Sequence, residues 1–278
     1  MTIRIITDGS CDLPASLTER LGISVVPLTV RIDSEEMDSS VDTEYFYRRM
    51  KEAAELPQTS SPNPHTFLSH FRAAGTRDML VLCLSSALSS TYRHAEMAKE
   101  MFVEEGFEGR IEVLDAKTTS LGLGVLAVRA AKLAQERTSF SDLYQSMVQR
   151  IKDTRTEFTL DTLENVIKGG RLDRVRGAVA SFLNIKLLMQ ASGEGTIEVV
   201  DKVRGSQNAM KRLLDKIGET FPATGSDLIG IAHSNCEEKA KAFAKQVLDR
   251  YPFRDVVFSN MGPVIGTYAG EGGLLVAY

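Results

Sequence analysis

Short apolar runs alternate along this chain with segments whose apolar residues recur every three or four positions. That alternation predicts strands interleaved with helices, the pattern of an α/β protein. Ile3-Arg4-Ile5-Ile6-Thr7 predicts an opening strand that stops at Asp8-Gly9-Ser10. Pro14 suits the first turn of a short helix ending at Gly22, and Ser24 to Val30 predicts the next strand. Asp42 is placed to cap a helix carrying Phe46, Met50 and Ala53. Asn63-Pro64 opens another with Phe67, Leu68 and Phe71 on its apolar side. Met79 to Leu84 is continuously apolar, as expected of a strand buried on both faces. A helix using Ala95, Ala98 and Phe102 follows, then a strand from Arg110 to Leu114 and a long helix with Leu123, Leu126, Ala127, Ala130 and Leu133. Strand, polar loop and helix thus recur before residue 150, which predicts a mostly parallel, Rossmann-like sheet.

The pattern then changes. Ser139 to Ile151 reads as one more amphipathic helix and Thr154 to Leu160 as a strand. Asn184 to Gln190 and Thr196 to Val203 flank Ser192-Gly193-Glu194-Gly195, a hairpin signal. A helix near Ser206 to Gly218 and a strand from Leu228 to Ala232 come next. Residues 237–248 place Ala240, Phe243, Ala244, Val247 and Leu248 on one stripe, and the last strands are Val256 to Phe258 and Leu274 to Ala277. Two closely packed α/β domains are expected, residues 1–153 with the parallel sheet and 154–278 with a mixed one.

Composition narrows the class. At 278 residues, with 43% hydrophobic and 25% charged, the chain is long and apolar enough to bury a sizeable core, which excludes a disordered protein. A net charge of −4 argues against nucleic acid as partner, since phosphate binding needs a concentrated basic surface. Three cysteines (Cys11, Cys83, Cys236) fit neither a zinc pattern nor a disulfide framework and point to a reducing setting. The N-terminus lacks the pattern of a signal peptide. The most apolar helical stretch, Leu121 to Ala134, is broken by Arg129 and Lys132, well short of the roughly 20 apolar residues of a membrane span. A cytoplasmic protein without an integral membrane segment is expected.

Four clusters could carry chemistry. Gln58-Thr59-Ser60-Ser61-Pro62-Asn63-Pro64 gathers hydroxyls ahead of a helix start, an arrangement suited to an anion and equally to ordinary capping. Ser85 to Thr91 holds five hydroxyls in seven residues at the carboxyl end of a strand, where open parallel sheets bind ligands. No lysine lies nearby and no Walker pattern is present, which favours a carboxylate over a nucleotide; a hydroxyl-rich cap is the plainer alternative. Lys168-Gly169-Gly170-Arg171 ends a short helix with an arginine that can offer a fork to a carboxylate, or form a surface ion pair, and Arg204 has the same two readings. Gly262 to Gly273 has five glycines in twelve residues, which permit close backbone approach or simply connect strands. There is no nucleophile elbow, H-E-x-x-H or dinucleotide fingerprint, and Ser89 with His94 at i,i+5 gives poor geometry for a nucleophile and its base. Cys11 beside Asp12 lacks an activating cation.

In this order the segments resemble the DegV family, the fatty-acid-binding subunits of bacterial fatty acid kinases. The matching pieces are Asp8-Gly9-Ser10-Cys11-Asp12-Leu13, Thr59-Ser60-Ser61-Pro62, Ser85-Ser86-Ala87-Leu88-Ser89-Ser90-Thr91-Tyr92, Thr162-Leu163-Glu164 with Gly169-Gly170-Arg171, Asn184-Ile185-Lys186, Arg204 and Gly262-Pro263-Val264-Ile265-Gly266-Thr267. They span nearly the whole chain. The resemblance implies a non-catalytic protein holding one long-chain fatty acid in an apolar tunnel between its domains, with no cofactor. It implies that Thr59 and Ser89 bind the carboxylate with backbone help near Ser90, that Ser60, Arg171 and Tyr268 complete the polar network, and that Arg204 meets the kinase. The partner, the catalytic protein of a fatty acid kinase, would phosphorylate the bound acid for phospholipid synthesis.

Phe182, Leu183, Ile185, Leu188 and Met189 are candidate tunnel residues, although apolar residues here also suit plain core. Tyr268 stands where many members carry histidine, Ala87 and Ser90 replace glycines, and Leu187 and Glu271 replace prolines. The competing reading is a metal-dependent sugar- or phosphate-metabolising enzyme using Asp8 and Asp115, both at strand ends. A third is a small-molecule sensor acting through a protein partner.

Overall fold

The computed structural model describes residues 3–172, 184–221 and 227–278. The first part of the chain runs β1 (Arg4–Asp8), α1 (Ala15–Leu21), β2 (Ser24–Val26), β3 (Thr29–Ile32), β4 (Glu35–Asp38), α2 (Thr43–Glu52), β5 (Gln58–Ser60) and α3 (Pro64–Ala74). It continues through β6 (Met79–Cys83), α4 (Thr91–Glu104), β7 (Ile111–Asp115), α5 (Leu121–Gln135) and α6 (Phe140–Asp153). The remainder comprises β8 (Thr156–Thr159), α7 (Glu164–Lys168), β9 (Ile185–Ala191), β10 (Ile197–Arg204), α8 (Ser206–Thr220), β11 (Leu228–His233), α9 (Glu237–Arg250), β12 (Asp255–Asn260), α10 (Pro263–Ala269) and β13 (Leu274–Ala277).

The fold is α/β, with a parallel four-stranded sheet ordered β2-β1-β6-β7 and a mixed six-stranded sheet ordered β10-β9-β8-β13-β11-β12. In the second sheet only β11 and β12 run parallel among the described pairs. The chain leaves β1 for one side of the first sheet and returns to β6 on the other. The C-terminal ends of these two strands therefore form the switch point at which such sheets bind ligands. Asp42 and Asn63 cap α2 and α3 as expected, accepting from the N–H groups of Tyr45 and Thr66.

The single strand expected over Ser24–Val30 is instead two. Pro27 has no N–H for a ladder, so the chain breaks after Val26; β3 leaves the parallel sheet and pairs antiparallel with β4 and β5 in a third, three-stranded sheet. The glycine-rich run after β12 is also more than a connection. Pro263 occupies the first helical position and starts α10, which packs against α2 and α7.

Helix α5 explains the most apolar stretch of the sequence. Every residue from Leu121 to Val128 is buried. Leu123, Leu126 and Ala127 pack with Ile5, Leu80 and Leu82 of the parallel sheet, while Leu121 and Val125 pack with Leu228, Leu275 and Ala277 of the mixed one. A helix shared by two sheets needs apolar residues around most of its circumference. A side chain at Gly230 would place its Cβ 2.8 Å from that of Leu121, so β11 approaches α5 this closely only because the position is glycine. Among the described residues no helix is long and apolar enough to cross a membrane.

Candidate functional site

Three parts of the chain converge above the switch point. Thr59 sits on β5, held by pairing with Val30 of β3, and its Oγ1 lies 2.5 Å from the Tyr268 phenol oxygen on α10. Gly169, just past α7, lies against the Tyr268 ring: a Cβ there would come within 2.6 Å of two ring carbons. The paired glycines singled out in the sequence thus allow this packing as well as ending a helix. Arg171 follows. Its Nη1 donates to the Gly169 carbonyl (2.6 Å), and its guanidinium carbon stands 4.7 Å from the centre of the Tyr268 ring, a cation–π contact. Asn165 donates to the Thr267 carbonyl (2.9 Å), tying α7 to α10.

The loop from Leu84 to Ser90 leaves β6 at the switch point and enters α4. Ser89 Oγ lies 2.9 Å from Thr91 Oγ1 and accepts from the Thr91 N–H. Ser90 Oγ lies 2.7 Å from Ser61 Oγ, which ties this loop to the end of β5. The first N–H groups of a fourteen-residue helix have no carbonyl of their own helix to bond, and with the helix dipole they favour an anion at this end. His94 Nδ1 lies 2.8 Å from the Pro62 carbonyl and 3.3 Å from Ser61 Oγ. It is therefore not positioned as a base for Ser89, in keeping with the poor spacing.

Thr59, Ser60, Ser89, Ser90, Arg171 and Tyr268 all line one cavity of about 350 Å³, within the range of small-molecule sites. Ser60 and Ser90 are exposed at its polar mouth, and the interior is apolar. Leu84 and Leu88 contribute from the loop after β6, and Val264, Ile265 and Ala269 from α10. Val166 comes from α7, with Phe158, Leu160, Ile197 and Leu275 from the mixed sheet and its margins. Thr156, Phe158 and Leu160 alternate along one face of β8 and its extension, spanning about 13 Å at the usual rise of a strand.

The tunnel candidates from sequence fare differently. Leu188 and Met189 are core residues, packed with α8 and with α5 respectively, and Ile185 is exposed; none of the three lines the cavity. Phe182 and Leu183 lie outside the described residues. Arg204 stands exposed at the end of β10, away from the cavity wall. Ser61 and Tyr268 belong to segments that the sequence singles out, whereas the tie of His94 to this loop and the helical form of Pro263–Ala269 emerge only from the structure. Pro263 as a helix opener and the alternation of Thr156, Phe158 and Leu160 were the available signals.

Carboxylates near the site serve the framework. Asp8 is fully buried; its oxygens accept from the Ser10 N–H and hydroxyl and from the Leu84 N–H (2.8 Å), and burial pushes its pKa up. Asp115 accepts from the N–H groups of Ser86 and Lys117 and pairs with the Lys117 ammonium. Both therefore hold loops at strand ends, and among the described residues no group of three His, Cys, Asp or Glu is arranged to hold a metal. The arrangement expected of a metal-dependent enzyme at Asp8 and Asp115 is not found there. Asp12 bridges the Ser120 hydroxyl (2.5 Å) and the Gly262 N–H (2.8 Å), with its pKa raised by burial to about 7.

The arrangement is a polar mouth rich in hydroxyls, one arginine and a helix N-terminus above an apolar interior, which suits an amphiphilic anion. Comparison with known proteins agrees. A family model described as an uncharacterised protein of the DegV family matches residues 2–278. A DegV domain-containing protein of Clostridium perfringens is 30% identical over 99% of this chain and 96% of its own. A DegV-family crystal structure from Ruminococcus gnavus with vaccenic acid is 26% identical, with a TM-score of 0.93 and full coverage of both chains. The Streptococcus pneumoniae fatty acid kinase B3 protein loaded with linoleic acid is 26% identical, with a TM-score of 0.88, over 100% of this chain and 99% of that one.

Proposed function

Since the chain belongs to the DegV family, we propose that it binds one long-chain fatty acid in this cavity and presents the carboxylate to the catalytic protein of a fatty acid kinase. The acid lies between domains of residues 1–153 and 154–278. Thr59 and Ser89 donate to its carboxylate, Tyr268 supports Thr59 through their shared hydrogen bond, and Ser60, N–H groups at Ser90 and the charge of Arg171 assist. One observation carries the reading: Thr59 and Ser89, on separate elements, line the same apolar cavity together with Arg171 and Tyr268.

Physical chemistry supports the division of labour. An ionised carboxylate taken out of water is costly unless several donors meet it, and charge-assisted bonds are the strong ones. The tail supplies affinity. At about 0.8 kcal/mol per buried CH₂, a sixteen-carbon chain gains roughly 11 kcal/mol before the costs of association. Phosphoryl transfer is assigned to the partner, because His94 is held at the Pro62 carbonyl and offers Ser89 no base. The relation to the fatty acid kinase B3 protein favours that partner, and exposed Arg204 is the proposed contact.

Titration of delipidated protein with palmitate tests the site. Thr59→Val and Ser89→Ala should each weaken binding about tenfold or more, the value of a hydrogen bond to a charged group, with thermal stability preserved. Arg204→Glu should leave palmitate affinity intact and abolish acyl-phosphate formation with the kinase. Unchanged affinity in both hydroxyl variants would remove the proposed head-group site.

A further inference from the structure

We infer that Asp12 is a positioning residue for the carboxylate site: through the Gly262 N–H it fixes the start of α10 and so sets where the Tyr268 hydroxyl stands relative to Thr59. The inference rests on the fatty-acid reading above and extends it to a residue that touches neither the cavity nor its ligand.

Asp12 follows β1 and is 7% exposed, with a positive φ of 51°. One carboxylate oxygen accepts from Ser120 Oγ at the start of α5, and the other from the Gly262 N–H at the start of α10. It therefore joins a loop of the parallel sheet to a helix that comes 250 residues later. Around the same joint the Met261 N–H donates to the His233 carbonyl (2.7 Å), and Tyr47 donates to the Met261 carbonyl (3.1 Å). The Gly262 N–H is the group at this joint that lies closest to α10.

What α10 carries makes the anchorage consequential. Val264, Ile265 and Ala269 form part of the cavity wall, and Tyr268, six residues beyond Gly262, makes the 2.5 Å contact with Thr59. Gly169 lies against the Tyr268 ring with no room for a Cβ between them, which limits how far α10 can move toward α7. Asp12 holds it from the opposite end. Without that bond the helix start is free to shift, and a displacement of about 1 Å is enough to spoil a donor's geometry toward a carboxylate oxygen.

A double-mutant cycle read by palmitate binding tests this. Asp12→Ala should weaken binding about tenfold, and Tyr268→Phe by a similar factor; combined, they should weaken it no further than either alone, because both remove the same phenol contact. Asp12→Asn should restore near-wild-type affinity, since its amide oxygen still accepts from Gly262 and its N–H₂ can donate to Ser120. If Asp12→Ala does not fold, Gly262→Ala takes its place: the new Cβ would lie 3.2 Å from the Asp12 carboxylate and wedge the bond open without removing a polar group.

A readout without ligand accompanies the cycle. In protein labelled with 3-fluorotyrosine, the resonance lost in Tyr268→Phe should shift in Asp12→Ala, or in Gly262→Ala, and return in Asp12→Asn. Multiplying effects in the double mutant, or a fluorine resonance that does not move, would overturn the inference. Failure of wild-type protein to bind palmitate, with the resonance shifting as described, would instead overturn the fatty-acid reading alone.

Discussion

Thr59 and Tyr268 together hold two hydroxyl protons and share one hydrogen bond, so one proton remains to be given to an oxygen in the cavity. A histidine at position 268 would offer charge as well; tyrosine offers only the donor, which leaves Arg171 to supply the positive field. On the far face of β8, Glu157 illustrates a different economy. It is 1% exposed, one oxygen accepts from Tyr278 (3.1 Å), and the other has no partner among the described residues. Burial raises its pKa to about 7, opposed by that bond and by Lys216 and Arg155, with Glu219 adding to the rise. An acid with a raised folded pKa contributes stability that is complete below its unfolded value near 4.5 and lost as pH climbs through the folded one. Wild-type protein should therefore lose about 3 kcal/mol relative to Glu157→Gln between pH 4.5 and 7. Urea denaturation at a series of pH values checks this; parallel curves for the two proteins would contradict it.

At the scale of elements, α5 is the shared wall of two sheets. Leu123→Ala removes contacts with the parallel sheet and should cost about 2–5 kcal/mol. Because Leu121 and Val125 on the same helix pack against the other sheet, that loss should also appear as reduced amide protection in β11 and β13. Protection lost only in β1 and β6 would show that α5 does not couple the two. The elements that the sequence made legible are those with long periodic patterns, such as α5, α9 and the uninterrupted Met79–Cys83 strand. Those it hid are short. β4 is four residues with Glu35, Glu36 and Asp38 around one Met37, too brief for alternation to register, and α10 is a helix written with glycine at Gly266 so that Phe46 and Tyr47 can approach its backbone. The break at Pro27 was visible in principle, since proline removes a ladder donor, but the β-branched residues on both sides masked it.

At the scale of the whole molecule, the site is assembled by topology. The parallel sheet delivers the Leu84–Ser90 loop at its switch point, the small antiparallel sheet delivers Thr59, and the last third of the chain delivers Tyr268 and much of the apolar wall. The hydroxyl-rich segments and the Gly-Gly-Arg turn were legible as chemistry because polar residues at strand ends and helix starts have a limited set of uses. That they face one another was not legible, because it depends on pairings between residues about 30, 80 and 209 positions apart. The apolar lining was also misjudged: Leu188 and Met189 have the composition of a tunnel wall and the position of a core.

The most direct test of the lipid-binding account is the mass spectrum of protein purified without detergent, recorded first under native conditions and again after denaturation. The account predicts a native mass heavier than the chain by one long-chain fatty acid, with the acyl species released on unfolding and its yield sharply reduced in Thr59→Val. A native mass equal to that of the bare chain, unchanged after incubation with palmitate or oleate, would contradict it.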